Sequence, residues 1–442
     1  MASGGFAFLL LAAMVALIIV LTGRCKINAF PVLLLVAFGY GVGIGLPLQE
    51  VLAKIKEGFG GTLANIGVVI TAGTMVGVIL EKTGAALVMT RSILGLVGKK
   101  RAPLAMNIAG MVVSVPVFCD SGYVILTPLN RALAKESGQS MVVMAVALAT
   151  GLFATHCMVP PTPGPIAAAG TLSADLGMVI LYGVIAAVPA SLAAYVWAAK
   201  AAVKYDIPVA GGESYSVLMQ KYGRLPSAFL SFLPLILPIF LILLKSIAAL
   251  PSHPFGETVG AFLSTIGDPI LALTMGFLCS FLLVPGKHLA TAADNWLGLG
   301  IRDAAAVLVI TGAGGALGRV IQASPIVDYI RESMSGTGVG IFFPFIIAAA
   351  LKTAQGSSTV AIITTANIMA PMSGQLGVNP ALCVVAIGAG AMVVSHANDS
   401  FFWVVSQFSD LPVDVSYKVY TTATAIEGVV AIGVVYCLSL VV

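Results

Sequence analysis

The chain has 442 residues, of which 59% are hydrophobic and only 9% charged, and its mean hydropathy is +1.05. An ordinary soluble domain carries roughly 25% charged residues, so no soluble core could bury this much apolar surface, and the bilayer is the expected solvent. The net charge of +4 comes from Lys and Arg in loops rather than from one basic face; it does not imply a nucleic-acid partner, and it does set orientation in a membrane.

The apolar residues fall in runs long enough to cross about 30 Å of hydrocarbon at about 1.5 Å per residue. The first run, Phe6 to Leu21, has no basic segment before it and no small-residue cleavage site after it, so it reads as a retained span rather than a signal peptide. Ten spans are predicted, at 5–22, 27–46, 63–80, 140–157, 176–199, 227–248, 260–284, 302–320, 378–396 and 418–441. Two further apolar stretches, 103–135 and 341–370, are broken at Asp120-Ser121-Gly122 and at Gln355-Gly356-Ser357-Ser358. Each half is short, so each stretch reads as a hairpin that enters the membrane and returns, which is tolerated only where the freed backbone groups face protein or a wet cavity. The fold class is therefore an all-α polytopic membrane protein with about ten spans and two re-entrant hairpins.

Arg24, Lys26, Arg91, Lys99, Lys100, Arg101 and the long polar loop 201–226 fall on one side of this layout. With that side cytoplasmic, the first hairpin opens inward, the second opens outward, and both termini lie outside. The six cysteines are scattered without a CxxC pair. They read as apolar packing residues, and neither a metal site nor a cofactor is expected.

The polar loop divides the chain into 1–200 and 227–442, and the halves are related. At an offset of 240, residues 58–92 lie over 298–332 without a gap, and Thr155-His156 meets Ser395-His396. The hairpins correspond at a similar offset of about 236. One half runs inward where its partner runs outward. Inverted repeats of this kind favour secondary transport, with a site near the midplane.

Candidate site residues cluster at the breaks. Gly356, Ser357, Ser358 and Thr359 precede one half-helix, and Ser121 and Gly122 precede another. The N-terminus of a half-helix presents unpaired N–H groups and a positive dipole end, which suits a carboxylate; small residues can equally serve close helix packing. His156 and His396 are two of four histidines, each at a span end. An imidazole titrates near neutrality and can carry a proton, or it can be a hydrogen-bonded core group. Asp120 and Asp399 place charge at intramembrane breaks, where ionisation is costly without a partner; Asp399 also suits a helix cap. Lys352 can pair with substrate or snorkel to the interface. Glu81 and Asp268 rank lower because no break accompanies them.

Four segments carry a resemblance: THCMVPPTPGPIAAAG, TGAGGALGRVI, KTAQGSSTVAIITTA and SHANDSFFWVV. The chain resembles the gluconate permease family of gluconate:proton symporters, within the ion transporter superfamily, over essentially its whole length. The resemblance implies an elevator-type fold in two inverted repeats. Each repeat has scaffold helices, a re-entrant hairpin and an interrupted helix (140–172 and 378–408), and the family generally assembles as a dimer. It implies an anionic sugar-acid substrate or, in some members, D-serine. Two departures fall in the expected pocket. Asp120-Ser121-Gly122 stands where gluconate transporters usually have Glu-Val-Gly, and Thr162 stands where they usually have His.

On this reading Ser121, Gly122, Gly356, Ser357, Ser358 and Thr359 contact the substrate carboxylate and hydroxyls, with Thr155 and Asn398 adding polar contacts. One or more of Asp120, His156, His396 and Asp399 bind the coupling proton. Sodium is the rival coupling ion, since unwound carbonyls and Asp or Ser oxygens bind it as well. An intramembrane hydrolase built on Asp120 with Asp399, or on Ser357 with a histidine, leaves the repeat unexplained.

Overall fold

In the computed structural model the chain is helical throughout the described residues, which are 3–205, 207, 217, 225–249, 254–326, 329, 340–372, 377–396 and 399–442. The loop 201–226 lies mostly outside them. The helices are α1 (Gly4–Ile19), α2 (Ala29–Gly43), α3 (Leu48–Lys82), α4 (Ala85–Val97), α5 (Ala102–Val113), α6 (Cys119–Ser137), α7 (Met141–Met158), α8 (Pro163–Thr171) and α9 (Leu176–Ala201). The second half supplies α10 (Ala228–Ala248), α11 (Gly256–Ile266), α12 (Pro269–Ser280), α13 (Leu297–Gln322), α14 (Phe342–Gln355), α15 (Ser358–Met369), α16 (Pro380–Gly390), α17 (Ser400–Phe408) and α18 (Thr422–Ser439).

Lipid offers no hydrogen bonds, so the first N–H groups of an embedded helix must be satisfied by the chain itself. Asn28, Ser140, Asp175, Ser227, Asp268 and Asn379 do this, each accepting from the first turn of the helix it precedes.

Among the described residues six helices are long and apolar enough to cross a membrane, or up to eight if each bent pair is one span. This differs from the ten expected. The span predicted at 63–80 is part of the 35-residue α3, which bends by 45° between Ala64 and Gly67. The span predicted at 260–284 is two helices meeting at 60° across Gly267-Asp268, because Asp268 caps and Pro269 opens a new helix. Helices α2 and α16 have only 15 and 11 residues, below the roughly 20 needed to span. Helix α4 lies where no span was expected.

At the centre stands α7, every residue of which is buried. Close backbone approach requires glycine here: a Cβ on Gly151 would lie 2.0 Å from the Asn107 carbonyl oxygen of α5. The corresponding approach of α16 to α14 occurs at Gly390, where a Cβ would lie 2.3 Å from the Phe345 carbonyl oxygen. Away from this core, α3 and α13 run antiparallel, with Gly58 against Gly315 at one end and Met75 against Gly300 at the other. The Thr74 hydroxyl crosses between them to donate to the Gly300 carbonyl at 3.0 Å.

Candidate functional site

Helix α14 stops at Gly356, whose φ of 85° supplies the left-handed cap and whose N–H returns to the Lys352 carbonyl at 2.9 Å. The chain reverses at once into α15, where the Ser357 hydroxyl caps by accepting from the Val360 N–H at 3.3 Å. This is the second hairpin, broken where the sequence indicated. The first hairpin breaks earlier than expected, at 114–118, so Asp120, Ser121 and Gly122 occupy the first turn of α6. Pro116 accounts for the shift, and an aspartate suits the positive end of the helix it enters.

Lys352, in the last turn of α14, is completely buried. Its ammonium donates to the Gly356 carbonyl at 2.7 Å and to Asp399 Oδ2 at 2.5 Å. Snorkelling is therefore excluded, and the lysine instead ties the hairpin tip to the break between α16 and α17. Asp399 is both cap and counter-ion: Oδ1 accepts from the Phe401 N–H at 3.1 Å, while Oδ2 also accepts from the Ser395 hydroxyl at 2.5 Å. The ammonium also sits 5.4 Å from the centre of the Phe153 ring, in cation–π range. Just before Ser395, Val394 is held at φ 56°. For a β-branched residue that conformation is strained, by about 1–3 kcal/mol.

Asp120 and His156 both lie within electrostatic range of Lys352 and Asp399. Each carries a buried atom with no hydrogen-bond partner among the described residues, Oδ1 of Asp120 and Nδ1 of His156. The His156 ring is 5.9 Å from that of Phe118. Ser358, at the start of α15, meets the thiol of Cys157. One cation, two carboxylates, an imidazole and the capped tip of a hairpin thus converge in the protein interior.

The remaining expected residues are placed as follows. Thr155 is buried and spends its hydroxyl on the Gly151 carbonyl of its own helix. Gly122 serves packing, since a Cβ there would lie 2.8 Å from the Leu152 side chain. Ser121 and Thr359 are half-buried. His396 has Nε2 2.9 Å from the Thr353 carbonyl oxygen, and its own carbonyl accepts from the Asp399 N–H at 2.8 Å. His156 lies in the last turn of α7, which runs on to Met158, whereas α16 ends at Gly390, ahead of His396. Thr162 is buried and donates to the Val159 carbonyl at 2.7 Å. Asn398 lies outside the described residues.

A cavity of about 390 Å³ opens at the far ends of α8 and α15, where they face α3 and α13. Its polar lining includes Glu57, Thr62, Thr171, Arg319, Gln322 and Asn367. Arg319 bridges to Glu57 at 3.0 Å and donates to the Gln322 side-chain oxygen at 2.6 Å. Arg319 did not stand among the expected site residues, although it lies in a resembling segment.

A model of the GntP family permeases matches residues 6–441. The chain belongs to this family. It is 34% identical to a gluconate permease of Pseudomonas aeruginosa, with 98% of each chain covered. To the high-affinity gluconate transporter of Escherichia coli it is 32% identical, over 96% of this chain and 97% of the other. An L-idonate transporter of the same organism is 30% identical over the same shares. Among solved structures, MtrF of Neisseria gonorrhoeae superposes with a TM-score of 0.67 at 16% identity, covering 96% of this chain and 97% of that one. The YdaH transporter of Alcanivorax borkumensis gives 0.68 at 14% identity, covering 92% and 97%. These likenesses show the fold. As a GntP permease the chain is a multi-pass protein of the bacterial inner membrane, a transporter and not an enzyme.

Proposed function

We propose that this GntP permease is a proton-coupled importer of a small hydroxy-carboxylate, gluconate or a related sugar acid. The observation that carries the proposal is the buried Lys352–Asp399 pair at the tip of the second hairpin. A proton delivered to the carboxylate set frees the ammonium, and the substrate carboxylate takes its place, so that anion and proton are held together. Asp399 and Asp120 are the acceptors beside the ammonium; His156 and His396 flank them. Ser121, Ser357, Ser358, Thr359 and Asn398 supply hydroxyl and amide partners for a polyhydroxylated chain. The sugar-acid substrates of the relatives, gluconate and L-idonate, agree with this chemistry.

Coupling gives the direction. Moving one unit charge across 100 mV is worth about 2.3 kcal/mol, so a lone anion is driven out of a negative interior and a co-transported proton removes that penalty. Sodium is the alternative ion and would occupy carbonyl and carboxylate oxygens at the same breaks.

The architecture we assign is two inverted repeats, 1–200 and 227–442, joined by a cytoplasmic loop at 201–226, moving as an elevator within a homodimer. The reciprocal contacts support the repeat: shifting the pair Gly58–Gly315 by 240 in opposite senses gives 298 and 75, within two residues of the observed Gly300–Met75 contact. The cavity supports the layout of the spans, because the ends of α3, α8, α13 and α15 that line it all fall on one side of that layout.

The test is uptake by proteoliposomes across gluconate, glycerate, other sugar acids and D-serine, with choline replacing sodium. Saturable uptake of a sugar acid without sodium is expected. Uptake of none of these acids would refute the substrate class, and uptake that requires sodium would reassign the coupling ion.

A further inference from the structure

Helix α18 carries a carboxyl group that the site described above does not use. Glu427 sits near the middle of the 27-residue span Val413–Ser439. It is completely buried, and neither of its carboxyl oxygens has a hydrogen-bond partner among the described residues. Leaving a buried polar group unsatisfied costs about 1–3 kcal/mol, and more for a charged one. An apolar side chain would fill the same space without that cost.

The position of Glu427 links it to the ion pair. One and two turns back on the same span, Thr424 accepts from the Ser395 N–H at 3.0 Å and Thr421 donates to the Ser395 carbonyl at 2.7 Å. The Ser395 hydroxyl in turn donates to Asp399. On the other side of Glu427, Gly428 lets α18 lie against Val393, where a Cβ would come within 2.3 Å of that side chain. Glu427 therefore lies within the stretch of α18, from Thr424 to Gly428, that packs against the break carrying Asp399. The titratable groups within electrostatic range of it are the Cys157 thiol of α7 and the Tyr420 phenol of its own span, and no basic group is paired with it among the described residues.

We propose that Glu427 is a proton-binding residue of the transport cycle. It takes a proton from the outer aqueous phase and yields it to the cytoplasm, and only its O–H bond is made and broken. The break between α16 and α17 is the element whose movement alters its surroundings, since Ser395 of that break bonds Asp399 through its hydroxyl and the Glu427-bearing span through Thr421 and Thr424. The proposal rests on the proton-coupled reading of the permease and adds a carboxyl that is not among the groups assigned to the substrate.

Glu427→Gln keeps the shape and removes the titration. In proteoliposomes holding the full chain, the variant is expected to retain gluconate counterflow at equal pH within about twofold of the parent. Under a one-unit inside-alkaline gradient, where one proton per substrate supports about tenfold accumulation, it is expected to show none. Accumulation equal to the parent's would overturn the assignment. Loss of counterflow in both Glu427→Gln and Glu427→Asp, with each protein intact by gel filtration, would also overturn it in favour of a packing role.

A parent that exchanges gluconate but ignores the pH gradient removes proton coupling and this assignment with it. Infrared spectroscopy of the purified chain decides the matter without any substrate, even if gluconate is not the cargo. A protonated-carboxyl band that responds to pH and is absent from Glu427→Gln is expected; identical spectra would refute the proposal.

Discussion

The ammonium of Lys352 lies 2.5 Å from Asp399 Oδ2, joining residues 47 positions apart where both side chains are almost wholly shielded. Removing one partner of a buried pair leaves the other uncompensated, at a cost of about 3–5 kcal/mol. Lys352→Met and Asp399→Asn are each expected to lower the unfolding temperature in detergent markedly. The double variant should be more stable than either single one while transporting nothing. A double variant whose loss equals the sum of the two would show that the pair is not coupled.

The glycines of α3 should separate by what faces them. A Cβ at Gly58 would lie 2.2 Å from the Gly315 carbonyl oxygen, whereas Gly60 has nothing within 4 Å. Gly58→Ala must displace backbone, so a loss of about 1–3 kcal/mol is expected. Gly60→Ala should be neutral or gain up to about 1 kcal/mol from helix propensity. Thermal unfolding of the two variants side by side is the check.

Asp120 and His156 each hold an unpartnered buried atom and lie within electrostatic range of the ion pair, and the account gives them a share in proton binding. Asp120→Asn and His156→Asn should each displace the pH profile of sugar-acid uptake. His396→Asn should affect it least, because that ring is engaged with the Thr353 carbonyl. An unchanged profile in all three would withdraw these residues from the coupling step.

Thr171 lines the cavity between α8 and α13. With the assigned orientation, Thr171→Cys should react with a membrane-impermeant thiol reagent added outside intact cells, and a transported sugar acid should slow the reaction. Labelling only in inverted vesicles would reverse the topology.

Much of this architecture was legible in the chain because hydrocarbon imposes a length and forbids unpaired backbone. The break at Gly356-Ser357 therefore announced itself. What hydropathy could not see was structure facing water or protein. The N-terminal half of α3 carries Glu50, Lys54, Lys56 and Glu57, and Glu57 lines the cavity, so no apolar signal marks that helix. The split at Gly267-Asp268-Pro269 was readable as a cap followed by proline, but the apolar residues on either side masked it.

The site was legible in part. Asp120, His156, Asp399, Ser357 and Ser358 do converge, since charge and helix breaks within a membrane need partners. Lys352 was ambiguous because its partner lies on another element, and snorkelling is ruled out only by its burial. Glu427 escaped notice as a single acid inside an apolar run, yet a charge at mid-span is the signal that could have found it.

The most direct test is accumulation of gluconate by proteoliposomes holding the purified chain, under an inside-alkaline pH gradient and without sodium. The account predicts about tenfold accumulation per pH unit for one proton per substrate, collapsing when a protonophore is added. Accumulation that withstands the protonophore, or that appears only when sodium is supplied, would contradict it.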